Sequence, residues 1–87
     1  MKRVVKEFKN ITTDNTRGNC SYYLLGTVSN IFGTSIDNII SVGIQYWEAV
    51  TNGMWLDMDS DQDLQLWMYG KRGQTIKILR VYCVYIA

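Results

Sequence analysis

The spacing of apolar positions changes partway along this 87-residue chain, and the change sets the expected elements. Arg3 to Ile11 alternates loosely, with Val4, Lys6 and Phe8 on one side and Val5, Glu7 and Lys9 on the other. A period of two with one mixed face predicts a first strand. Thr12 to Asn19 is rich in Asn, Asp and Gly, which accept turn dihedrals. From Cys20 to Phe32 a helical period gathers Cys20, Leu24, Val28, Ile31 and Phe32 on one stripe, and Gly33 stands where a C-terminal capping glycine belongs. A strand here would line up Tyr22, Leu24, Gly26 and Val28 but leave Asn30 facing the core. A helix is therefore expected.

Thr34 to Thr51 carries both periods. Thr34 with Asp37 resembles a capping box, and Ile36, Ile39, Ile40, Trp47 and Val50 then share a helix face. Against this, Ile40, Val42, Ile44 and Tyr46 alternate with Ser41, Gly43 and Gln45, as in a half-buried strand. Gly43 would also cost a helix interior about 1 kcal/mol relative to alanine. Length and the start signal favour a second helix.

After the turn dipeptide Asn52-Gly53 the period becomes two and stays there. Met54, Leu56 and Met58 alternate with Trp55, Asp57 and Asp59; Leu64, Leu66 and Met68 alternate with Gln65, Trp67 and Tyr69. Gly70-Lys71-Arg72-Gly73 reads as a second hairpin turn. Thr75 to Ala87 is rich in β-branched and aromatic residues, and beyond Arg80 both of its faces are apolar. That pattern predicts a central strand covered on both sides. The expected architecture is one α+β domain over residues 1–87: one or two helices packed on a small antiparallel sheet that ends in a three-stranded meander. An all-β barrel is the alternative if both helices are misread.

Composition narrows the chemistry. Histidine is absent, which removes the usual general base, the usual zinc ligand beside cysteine and the usual pH switch. Phosphate-loop and dinucleotide fingerprints are missing too, so no cofactor is expected. Lys6, Glu7 and Lys9 break any apolar core of a signal peptide after Met1-Lys2-Arg3, and no apolar run approaches the ~20 residues of a membrane span. The expectation is a cytoplasmic protein with Cys20 and Cys83 as reduced thiols among apolar neighbours.

Charge reorganises this picture around the middle of the chain. Residues 1–33 carry a net +3, residues 34–63 a net −6 with no Lys or Arg, and residues 64–87 a net +4 with no acid. Four of the acids, Asp57, Asp59, Asp61 and Asp63, stand at strict period two. Asp57, Asp59 and Asp61 match the first three ligand positions of a calcium-binding EF-hand loop, but Gln62 replaces the required glycine and Met68 the closing bidentate glutamate. No metal site is expected. Ser60-Asp61-Gln62 must turn the chain in a meander, so Asp57 and Asp59 would end one strand and Asp63 begin the next.

Gly18, Asn19, Cys20 and Tyr22 resemble the nucleophile motif of OTU-type cysteine deubiquitinases, in which an Asp-Gly-Asn-Cys run precedes a helix and an aromatic follows two residues later. Arg17 stands where that family has aspartate, and there is no histidine to deprotonate the thiol. The resemblance implies a catalytically dead relic, and it transfers no catalytic role. A nucleic-acid-binding reading would use the basic termini with Tyr22, Tyr23, Trp67 and Tyr69 as stacking platforms, but the formal net charge is only +1 and the acidic block would repel phosphates.

The favoured expectation is a non-enzymatic protein-binding module. Trp55 and Trp67 alternate against Leu56 and Leu66, which places them with the carboxylates rather than with the core. An acidic tip of Asp57, Asp59, Asp61 and Asp63, rimmed by Trp55, Trp67 and Tyr69, would engage a basic patch on a protein partner. A small phage- or virus-type inhibitor of a host nucleic-acid-binding enzyme fits that description.

Overall fold

A computed structural model describes residues 1–48 and 53–87, with side chains given for all of these except 46–48. Among the described residues the structure is mostly strand (62%) with one five-residue helix, so the all-β alternative fits and the α+β expectation is wrong. In chain order the elements are β1 (Lys2–Phe8), β2 (Ile11–Thr12), β3 (Asn15–Arg17), β4 (Cys20–Thr27) and α1 (Val28–Phe32). A 3₁₀ turn (Ile36–Asn38), β5 (Ile39–Glu48), β6 (Met54–Met58), β7 (Asp63–Tyr69) and β8 (Thr75–Tyr85) follow.

The strands form two antiparallel sheets. In the first, β8 is central, flanked by β5 on one side and by β1 and β2 on the other. The second runs β3-β4-β7-β6. The inner faces of both supply the core: Leu64, Leu66 and Met68 from β7 against Ile76, Leu79, Val81 and Cys83 from β8, with Val28 and Phe32 of α1 packed among them. On one side the two sheets are linked where Thr13 exchanges backbone hydrogen bonds with Gln74 and Gly73. On the other side, among the described residues, β5 and β6 each pair with a single strand, so their outer edges face a seam. The meander is therefore broken: β7 pairs with β6 and β4, and Gly70–Gln74 carries the chain across to the other sheet instead of forming a hairpin.

Both helix expectations fail for identifiable reasons. Cys20–Thr27 is a strand whose Ser21, Tyr23 and Leu25 face inward, and a bulge between Leu24 and Gly26 (φ 121°) interrupts the alternation. The interrupted period of two imitates a helical stripe. Only Val28–Phe32 is helical, and Gly33 does cap it in the left-handed conformation, donating its N–H to the Ser29 carbonyl. In the next segment Ser35, not Thr34, caps a single 3₁₀ turn, after which Ile39–Glu48 runs as a strand against β8. The last residues of the expected helix, 49–51, and Asn52 of the expected turn lie outside the described residues.

The central position expected for the C-terminal strand is observed, but its inner face switches partway. Ile76 is buried on one side of the kink, and Leu79, Val81 and Cys83 on the other, with Ile78 between them at φ 55°. Its neighbour switches at the same level, through Asn10 at φ 53°, and pairing resumes in the same register, Phe8 opposite Leu79 and Ile11 opposite Ile76. A positive φ at a β-branched residue is a true outlier, held here because both strands bend together. The apolar character of both faces beyond Arg80 does not reflect a helix on the second face; Tyr82 there is half-buried with Arg3 over its ring.

Candidate functional site

The outer face of the second sheet holds most of the side chains singled out by the sequence. Cross-strand register puts Tyr22 opposite Trp67 and Trp67 opposite Trp55, so one row of aromatics crosses β4, β7 and β6. Tyr22 and Trp67 stack with ring centroids 4.5 Å apart, and Trp55 and Trp67 at 6.1 Å with planes 12° apart. Tyr69, two residues further along β7, tilts onto Trp55 at 5.2 Å. None of the four belongs to the core cluster, and Tyr69 is 60% exposed. The rings thus contact one another in an unbroken series from Tyr22 through Trp67 and Trp55 to Tyr69.

Charge is graded along this face. At one end, Arg17 lies on the β3–β4 hairpin, which touches the β7–β8 connection through Gly70 N–H to the Asn19 carbonyl (3.0 Å). Thr16, Gly18, Asn19, Gly70, Lys71 and Arg72 line a shallow basic depression there. At the other end lies the turn between β6 and β7. Asp57 lies near the end of β6 and Asp63 does begin β7. Asp59, expected in the strand, falls just past its end at Met58 and belongs to the turn, with Gln62 in the left-handed region (φ 65°).

The four aspartates are not equivalent. Asp59 organises the turn: its Oδ1 accepts the backbone N–H groups of Asp61 and Asp63, both at 3.0 Å, and its Oδ2 accepts from Gln65 Nε2 at 3.2 Å. Gln65 in turn accepts the indole N–H of Trp67 at 2.9 Å. Turn and aromatic row are thus joined by one relay, Asp59–Gln65–Trp67. Asp57 Oδ1 accepts the Met58 N–H at 3.0 Å, while Asp57 and Asp61 are exposed. Such a face can present negative charge beside a preordered apolar surface.

Other candidate chemistry does not assemble. Cys20 opens a strand and pairs with Tyr69, so the helix that should follow the nucleophile in the deubiquitinase-like motif is not there. Cys20 and Cys83 are both free, one half-buried on the outer face and the other fully buried, where burial pushes the thiol up. Among the described residues no group of three or more Cys, Asp or Glu is placed to hold a metal ion, and no helix is long and apolar enough to cross a membrane.

Two contributors to this face were missed. Tyr22 is grouped with Trp67 only in the nucleic-acid reading and not in the expected acidic tip, because its segment reads as a helix; its alternation with Ser21 and Tyr23 is the available signal. Gln65 carries no signal beyond its position two residues before Trp67 on one face of a strand. No protein-family model matches the chain, and neither the curated proteins nor the solved structures searched contain a match.

Proposed function

We propose that the protein is a non-enzymatic binding module whose working surface is the outer face of the second sheet, engaging a basic patch on a protein partner. The observation that carries this reading is the aromatic row Tyr22–Trp67–Trp55–Tyr69, outside the core and tied by Gln65 to an acidic turn. Large rings held in place lose little side-chain entropy on binding, and neighbouring carboxylates steer a cationic partner toward them. An inhibitor that covers the basic surface by which an enzyme holds nucleic acid is one form of this reading.

The test reverses Asp57, Asp61 and Asp63 to lysine while keeping Asp59, which holds the turn. Wild-type and variant proteins with matched circular dichroism are used as bait, and captured proteins are quantified by mass spectrometry. The reading expects a discrete basic protein retained by the wild type and lost by the variant and by Trp55→Ala. Identical capture by all three refutes it. A nucleic-acid reading draws on the basic depression at Lys71 and Arg72 beside Tyr69, and steeply salt-dependent binding to single strands would favour it instead.

A further inference from the structure

The seam between the two sheets carries a second, more specific feature. Among the described residues β5 and β6 each hydrogen-bond to one neighbouring strand, β8 and β7, so each turns a row of backbone N–H and C=O groups toward the gap. The gap widens into a groove of about 490 Å³ at the Ile39 and Met58 ends of these strands. Ile36, Ile39 and Ile40 line it from one side, Leu56, Asp57 and Met58 from the other. Its two lips are exposed apolar side chains, Ile40 at 53% and Met58 at 46%.

The other strand edges are built differently. β1 carries Lys2, Arg3, Lys6 and Glu7, the usual protection of an edge against added strands, and β3 is only three residues long. The seam has no such protection from cations. Every element that lines it, apart from the buried Leu64, comes from residues 34–63, the block with a net charge of −6 and no Lys or Arg.

We propose that this seam is a strand-addition site. Its occupant is an extended segment of the protein partner, pairing with the free edge of β6, with alternate apolar side chains in the groove and Lys or Arg toward Asp57 and the acidic turn. Backbone pairing supplies affinity without sequence, and the apolar and cationic alternation supplies selectivity. Met54–Met58 offers about five residues of edge, roughly 17 Å at 3.4 Å per residue. The site rests on the protein-binding reading above and names the form of the ligand.

The experiment titrates ¹⁵N-labelled protein with an acetylated, amidated hexapeptide of alternating Lys and Val, with the Glu-Val analogue as control. The expected result is saturable shifts in Met54–Met58 and Ile39–Val42, slowed amide exchange along β6, and no saturable binding of the Glu-Val peptide. Ile40→Glu and Met58→Asp, both at exposed positions, should each weaken binding at least tenfold, with Val5→Ala, an exposed position on β1, unchanged. A peptide that binds only across Tyr22, Trp67 and Trp55 overturns the seam and leaves the binding-module reading standing. No saturable binding, or equal binding of both peptides, overturns the seam as well. Failure of the bait experiment described above refutes the broader reading separately.

Discussion

The outer end of the Tyr82 ring occupies the space in which Gly43, its partner across the β5–β8 ladder, would carry a Cβ. Arg3 closes the other side, its guanidinium 4.2 Å from the ring centroid. Glycine is needed here for close approach, since its φ is not positive. Gly43→Ala must displace the ring, and overpacking of this kind costs about 1–3 kcal/mol, more than the ~0.4–1 kcal/mol gained from a stiffer unfolded chain. Urea melts should show that loss, and Tyr82→Ala should cost less in the Gly43→Ala background than in the wild type.

The acidic turn should separate into structural and exposed carboxylates. Asp59→Ala removes the acceptor for two turn amides and for Gln65, an expected loss of about 1–2 kcal/mol. Asp59→Asn keeps an oxygen acceptor and should recover most of it. Asp61→Ala, at an exposed position whose side chain makes none of these bonds, should stay within about 0.5 kcal/mol of wild type. Chemical denaturation of the three variants checks the order.

Trp55 and Trp67 stack closely enough to couple both optically and energetically. The protein should show an exciton couplet in far-ultraviolet circular dichroism that disappears in Trp55→Phe and in Trp67→Phe. A double-mutant cycle to alanine should give a coupling of about 0.5–1.5 kcal/mol. Absence of both signals would mean that the rings are not ordered against each other, and the proposed surface would lose its main asset.

Stability should fall in mildly alkaline solution through Cys83. Burial raises its thiol in the native state, so the folded protein holds that proton more tightly than the unfolded chain does. The contribution is whole below the unfolded thiol's value of about 8.5 and is lost as pH rises from there through the native value. The stability difference between wild type and Cys83→Ala should therefore shrink as pH rises past about 8.5. Denaturant melts across that range provide the measurement.

The parts of the fold legible in the sequence are those where a local period runs without interruption. β6, its turn and β7 are one such stretch: Leu56, Leu64 and Leu66 point inward, Trp55 and Trp67 outward, and the chain turns at Ser60-Asp61-Gln62 as expected. The misread segments are those where backbone geometry resets the period. The bulge at Leu24–Gly26 and the one between Ile39 and Ser41 each shift alternation by one residue, and a shifted period of two resembles a helical face. The positive φ of Ile78 cannot be read from an isoleucine at all, because it depends on Asn10 bending in the neighbouring strand.

The candidate site shows the same division. Trp55, Trp67 and Tyr69 were placed together from alternation alone, and the acidic turn followed from the same pattern. The unequal roles of Asp57, Asp59, Asp61 and Asp63 were not legible, because they depend on which oxygen meets which amide. The seam is not legible in the sequence, because the pattern of β5 also fits a helix, which has no edge to offer.

The central place of β8 also fixes an order of assembly. The second sheet is complete within residues 15–69, whereas β1 and β5 have no partner in their own sheet until residues 75–85 arrive. Closing Lys2 onto Tyr85 spans nearly the whole chain, and contacts that distant in sequence form late and slowly. Until β8 docks, β5 lies with both edges open. In that interval, the isoleucines of β5 are the part of the chain most prone to pairing with a neighbouring molecule.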